Sequence, residues 1–222
     1  MNIEILRKIP FNELEYMIRK VPLVKKDENG SEIFPYKDAY INLRKFRFEE
    51  VNPPTFYLLR DNLNTQRNLA KTLTEKYEID PLRFDNEIAA VELKNLDTNE
   101  IWLLTPPIIE NVSRQISYVR QEGEIDYSDK PITINVPLIC DGAHRVAISK
   151  EFGGYFNGIN IVGASPKHPY YAHPNGWDMV NIVNEVPKTK EDKKLYSRED
   201  CYALYRNFDV LGCGKPRGTG GA

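Results

Sequence analysis

From Pro137 to Ser149 the chain reads Pro-Leu-Ile-Cys-Asp-Gly-Ala-His-Arg-Val-Ala-Ile-Ser, an apolar run that breaks at Asp141-Gly142 and resumes with helical character. A strand that ends where a helix starts is an element of an α+β or mixed-sheet domain. The start of a helix presents unpaired backbone N–H groups and the positive end of the helix dipole. An arginine beside them adds a fork of donors suited to phosphate oxygens. Gly142 leaves room for a ligand to approach the backbone. The structural alternative makes Asp141 a simple helix cap, with Ala143, Val146 and Ala147 facing a core and His144 and Arg145 in solvent.

Around this stretch the pattern predicts a series of short elements. A helix spans Phe11 to Lys20, and a strand-like segment Ala39 to Val51 follows a polar loop containing Asn29-Gly30. Thr55 to Tyr77 reads as mostly helical. Strands Ala89 to Leu96 and Glu100 to Leu104 flank an Asp97-Thr98-Asn99 turn. After Pro106-Pro107 the pattern predicts a helix Asn111 to Gln121, a strand Ile132 to Cys140, a helix Ala143 to Phe152 ending at Gly153-Gly154, and a strand Asn157 to Val162. Further helices are expected over Trp177 to Val183 and from Ser197 to about Asn207. Three parts follow: an N-terminal helical and strand extension (1–85), a core (86–187), and a C-terminal helix with a Gly/Lys/Arg tail (188–222).

Composition narrows the function classes. With 41% hydrophobic residues, 28% charged residues and a formal net charge of −2, the chain is expected to be a cytoplasmic globular protein, and its balance does not favour DNA as a partner. The one compact basic run, Leu43-Arg44-Lys45-Phe46-Arg47-Phe48, splits its cations between both faces of a strand and reads as a solvated strand. No apolar stretch has the length of a membrane span, and the Met1 end lacks a signal-peptide core. Three cysteines, Cys140, Cys201 and Cys213, form no close pair and read as reduced thiols. The histidines His144, His168 and His173 lack the spacing of a zinc site.

The sequence Asp141-Gly142-Ala143-His144-Arg145 after a hydrophobic strand resembles the ParB/sulfiredoxin-like superfamily, closest to its Asp-Gly-His-His-Arg branch, which includes free serine kinases. The likeness covers Asp141 to Arg145 well and Leu103 to Gly153 loosely. It implies a ParB/sulfiredoxin-like mixed-sheet fold with nucleotide phosphates on Gly142, Ala143, His144 and Arg145. ATP or ADP is the implied ligand, CTP a third candidate, and Mg2+ the metal, with Asp141 as its ligand. In the serine-kinase type a Glu after the first strand activates the substrate hydroxyl, and Glu110 is the matching residue by position. On its own, Glu110 also suits the first turn of the expected Asn111 to Gln121 helix. Ala143 departs from the pattern. It replaces the Cys that sulfinic-acid repair requires and one of the two His of the kinase-type motif.

Two further segments carry candidate substrate contacts. The loop Ala164 to Trp177 places Lys167, His168 and His173 among prolines and aromatic rings, the makings of a lid or of surface packing. Lys215, Arg217 and Thr219 in the Gly-rich tail match late basic and hydroxyl residues of the kinase-like branch, without the spacing of a P-loop. The resulting expectation is a nucleotide-dependent phosphotransferase acting on a small hydroxyl-bearing substrate, with Glu110, Asp141 and His144 as catalytic residues. The alternatives are a noncatalytic ParB-like nucleotide switch or DNA-associated module, and a metal-dependent nuclease using Asp141 and Glu110.

Overall fold

A computed structural model describes residues 1–121, 124–170, 175–189 and 204–212, with the side chains of 114–132 left aside. The chain order is β1 (Ile3–Ile9), α1 (Phe11–Arg19), β2 (Tyr40–Arg47), β3 (Tyr57–Leu59), α2 (Arg60–Tyr77), β4 (Ala90–Asn95), β5 (Ile101–Leu104), β6 (Ile108–Gln121), β7 (Glu124–Asp141), α3 (Ala143–Ser149), β8 (Tyr155–Val162) and β9 (Asn181–Val183). This is an α+β architecture. Its central sheet has the order β2-β8-β6-β7, with β6 and β8 parallel and the other neighbours antiparallel. A second sheet has the order β1-β4-β5, and β3 pairs with β9 in a parallel ribbon. Strands from the 1–85 segment therefore pair with strands from the rest of the chain in all three sheets.

Side-chain alternation divides the central sheet into two faces. On one, Ile41, Ile108, Ile159 and Ile161 pack with Leu14 and Ile18 of α1, with Tyr36, and with Phe208 and Leu211 of the C-terminal segment. On the other, Phe46, Ile109, Ile139 and Phe156 pack with Leu63 and Ala70 of α2 and with Val146 and Ile148 of α3. Arg67 of α2 donates to both carboxylate oxygens of Glu151 at 2.8 and 2.6 Å, tying α2 to the turn after α3.

Three expectations change. Asn111 to Gln121 is strand, not helix, and forms with β7 a long antiparallel hairpin. Its Val112, Ile116, Tyr118 and Val119 are strand-forming residues, and pairing along the strand outweighs a weak helical pattern. Trp177 to Val183 is a single 3-10 turn, Trp177–Met179, followed by β9. The β-branched Ile182 and Val183 pair with Leu58 and Leu59, and Trp177 stacks on Phe48 with ring centroids 4.4 Å apart. Tyr57 to Leu59, read as the beginning of a helix, is β3. Most of the segment Ser197 to Asn207 lies outside the described residues, and Arg206 at its end forms an antiparallel bridge with Leu23. Among the described residues, no helix is long and apolar enough to cross a membrane.

Candidate functional site

The strand–turn–helix forms where the sequence places it. Ile108 pairs with Asp141 and Ile109 with Ile139, so Cys140 is the extra residue of a β-bulge one position before the motif. Gly142 follows with φ +87°, the left-handed region that favours glycine, and serves as the N-cap of α3 with no side-chain cap. A Cβ there would lie 2.8 Å from Nη2 of Arg145 and 3.0 Å from the Pro107 Cα, so the turn has no room for a larger residue.

Asp141 is not the helix cap. Its Oδ2 accepts from Nη2 of Arg145 at 2.6 Å, folding the guanidinium back over Gly142. Arg145 is largely buried, its side chain 12% exposed against 32% for Asp141, and its buried Nε has no hydrogen-bond partner. A buried N–H donor without an acceptor costs about 1–3 kcal/mol.

His144 faces the sheet ribbon rather than open solvent. Its Nε2 accepts from the backbone N–H of Leu59 at 3.2 Å, which places the neutral ring's proton on Nδ1. Burial, with the positive charge of Arg145, lowers its pKa from 6.5 to about 4, against the opposing pull of Asp141. His144 is therefore a neutral donor at physiological pH. Because the folded pKa is depressed, the unfolded chain takes up the proton first as pH falls. Stability should be full above about pH 6.5 and decline towards pH 4, and the imidazole resonances should titrate with a midpoint near 4 in an NMR pH series. A midpoint near 6.5 would refute the buried, acceptor-bonded ring.

Glu110 lies elsewhere. Ile109 packs against the α3 face, so the next residue along β6 projects to the opposite face. There the Glu110 carboxylate takes Nη2 of Arg206 at 2.8 Å, Nε of Arg206 at 3.0 Å and the Tyr36 hydroxyl at 2.7 Å. Cys140 Sγ is 3.9 Å from Oε2. The ion pair is enclosed, with side-chain exposures of 0% for Arg206 and 3% for Glu110, and the guanidinium sits over the rings of Tyr36 and Tyr170 at 5.4 and 5.2 Å. Burial and the neighbouring Cys140 and Glu110 push the Tyr36 phenol well above its usual range, so it remains a hydrogen-bond donor. Glu110 is not the start of a helix, and the structure does not bring it beside Asp141. A metal held jointly by Asp141 and Glu110, as the nuclease alternative requires, does not form here.

The candidate lid packs on the Glu110 side as far as Tyr170, while Trp177 at its end packs on the opposite face against Phe48. The carbonyl of His168 accepts from Nη2 of Arg206 at 3.0 Å, and Tyr170 is buried against Leu138 and Val112. Burial, together with Arg206, Lys167 and Lys25, lowers the pKa of His168. Lys167 is exposed beside it. His173, Lys215, Arg217 and Thr219 lie outside the described residues. The Arg206 and Tyr36 partners of Glu110 carry no local sequence signal. Arg206 is 96 positions away from Glu110 in the chain.

No curated protein and no solved structure matches the chain. A family model described as the ParB CE domain matches residues 13–182, from α1 through β9. The matched span contains both faces of the central sheet and the Asp141–Arg145 turn, and the mixed-sheet α+β fold agrees with it: the chain belongs to the ParB CE domain family.

Proposed function

We propose that the chain binds a nucleotide by its phosphates at the Asp141–Arg145 turn and passes a phosphoryl group to a small hydroxyl-bearing molecule. The observation that carries this reading is Arg145, a largely buried guanidinium folded over a glycine that tolerates no Cβ, with Nε lacking an acceptor. With the guanidinium swung outward from Gly142, a phosphate oxygen at the start of α3 would take that Nε and the uncapped N–H groups there. Neutral His144 is held by Leu59, keeping the helix start in place.

Mg2+ fits this site only together with phosphates. Asp141 offers one carboxylate, and among the described residues no three His, Cys, Asp or Glu side chains converge as a metal site. Magnesium is commonly held by one or two carboxylates plus substrate phosphates, where it neutralises phosphate charge. The protein's own part is then positioning: Arg145 orients the phosphates, Asp141 is the carboxylate at the turn, and Gly142 lets the guanidinium close over the start of the helix. A loose phosphoryl-transfer transition state asks little of a base, so the distance of Glu110 does not exclude the reaction class.

A second reading, a nucleotide switch without chemistry, is favoured by the commitment of Glu110 to Arg206. Phosphorus NMR of protein, Mg2+ and ATP with hydroxyl compounds, free serine included, separates the two. Acceptor-dependent formation of ADP and a phosphomonoester supports transfer. Binding without turnover supports the switch.

A further inference from the structure

Residues 204–212 lie beyond the span matched by the family model, which ends at residue 182, yet they help close one face of the central sheet. Backbone bonds seat them: Val24 donates to the Tyr205 carbonyl at 2.9 Å, Asn207 to that of Pro22 at 2.8 Å, and Leu103 to that of Gly212 at 2.8 Å. Phe208 and Leu211 are buried in the core there, and the Phe208 ring stacks on that of Tyr36 with centroids 6.3 Å apart. What this segment grips is the piece of sheet that carries the Asp141–Arg145 turn. In three consecutive residues of β6, Ile108 pairs with Asp141, Ile109 pairs with Ile139 and packs with Val146 of α3, and Glu110 takes Arg206. Cys140, the bulge residue immediately before Asp141, meets the same cluster. Its Sγ lies 3.9 Å from Oε2 of Glu110, 3.9 Å from the Tyr36 hydroxyl and 3.8 Å from the Leu138 carbonyl oxygen. A bulge re-aims the residues that follow it, and this one is held by groups that the C-terminal segment itself fixes.

We propose that segment 204–212 is a brace for the turn and that Cys140 is the positioning residue between them, a coupling that rests on the phosphate site proposed at that turn. With the segment seated, the bulge, and with it the backbone of Asp141 and Gly142, is fixed before a ligand arrives. Swinging the Arg145 side chain outward leaves that backbone in place. A preorganised turn binds more tightly, because less ordering has to be completed on binding. Loosening the segment transfers that ordering cost to the ligand. Coupling free energy is reciprocal, so a phosphate ligand at the turn holds the segment more firmly in its seat. Glu110 then serves the site without touching the ligand, by joining Arg206 to the bulge.

Phe208→Ala loosens the segment while leaving Glu110, Cys140 and the turn unaltered. Leu73→Ala, a loss of apolar bulk in the separate core under the β1-β4-β5 sheet, controls for lowered stability alone. A circular dichroism melt checks that each variant is folded, and calorimetry with ATP and with pyrophosphate, both with Mg2+, reads the turn. Phe208→Ala should weaken binding about fivefold or more, within the usual range of coupling between sites, while Leu73→Ala should bind as the wild type does. Cys140→Ala should weaken binding similarly, and Phe208→Ala added to it should have little further effect, because both cut one connection. In the wild type the ligand should slow hydrogen exchange of the Leu103 and Asn207 amides, which seat the segment. The coupling is overturned if Phe208→Ala binds as tightly as the wild type, if Leu73→Ala binds as weakly as Phe208→Ala, if the effects of Cys140→Ala and Phe208→Ala add, or if the ligand leaves both amides unchanged. Should the wild type bind neither ligand, the phosphate reading of the turn fails, and the brace is judged in ligand-free protein by exchange of the Arg145 Nε proton. Faster exchange in Phe208→Ala alone supports the brace. Exchange as in the wild type, or the same acceleration in Leu73→Ala, overturns it.

Discussion

Arg206→Ala should cost the protein about 3–5 kcal/mol of stability, enough to leave a typical domain of this size partly unfolded. The loss comes less from the attraction removed than from the charge left behind. Glu110 has side-chain exposure of 3%, and both its oxygens are occupied by Arg206, with the Tyr36 hydroxyl sharing one of them. Removing the guanidinium strands a carboxylate inside the core with a single hydroxyl donor, and also empties the slot between Tyr36 and Tyr170. The double variant Arg206→Met, Glu110→Gln should recover most of the loss. Glutamine still accepts from Tyr36, no buried charge remains, and methionine refills the slot between the rings. Urea unfolding of the three proteins measures both effects. If the double variant is no more stable than Arg206→Ala, the stranded charge is not the cause.

Gly142→Ala should be the most damaging single change at the turn. The residue holds φ +87°, and the added methyl meets the guanidinium of Arg145 at 2.8 Å and the backbone of Pro107 at 3.0 Å. A side chain can swing away; the Pro107 backbone, which accepts from Ile159 at 2.8 Å, is part of the sheet edge. The backbone conformation alone is expected to cost about 1–3 kcal/mol. Displacing Arg145 from Asp141 should also cost at least about tenfold in nucleotide affinity, the equivalent of one charge-assisted hydrogen bond. Gly153→Ala is the control, with φ +94° but nothing within 4 Å of the added methyl. It should show the conformational loss in a thermal melt while binding nucleotide normally. Equal binding by both variants would mean that the placement of Arg145 over Gly142 is not used by a ligand.

Local sequence pattern was sufficient for the elements whose stability is local or whose apolar period is clean. The helix Phe11–Arg19, the strands Ala90–Asn95 and Tyr155–Val162, and the turn at Asp141-Gly142 all stand close to where the residues alone put them. The long hairpin was not legible beyond Cys140, because Asn111 to Gln121 mixes Ser, Asn, Gln and Arg with its β-branched residues, and only the ladder to β7 decides for strand. That one change of element moves Glu110 from the first turn of a helix to the middle of the sheet. Strand alternation then carries its side chain away from the motif. The Arg206–Glu110–Tyr36 cluster was invisible for a different reason: its members come from three distant segments, and nothing near Arg206 in the chain distinguishes it from other arginines. The turn itself was readable because glycine, a short acid and an arginine within five residues answer to local geometry.

The measurement that bears most directly on the central claim is calorimetric titration of the full chain with ATP, ADP, CTP and pyrophosphate in the presence of Mg2+, run beside Arg145→Ala. The account predicts one-to-one binding of at least one nucleotide by the wild type and its loss in Arg145→Ala, with the thermal melt of the variant showing an intact fold. Binding by neither protein, or equal binding by both, would contradict it and leave Asp141–Arg145 as a structural turn at the edge of the sheet.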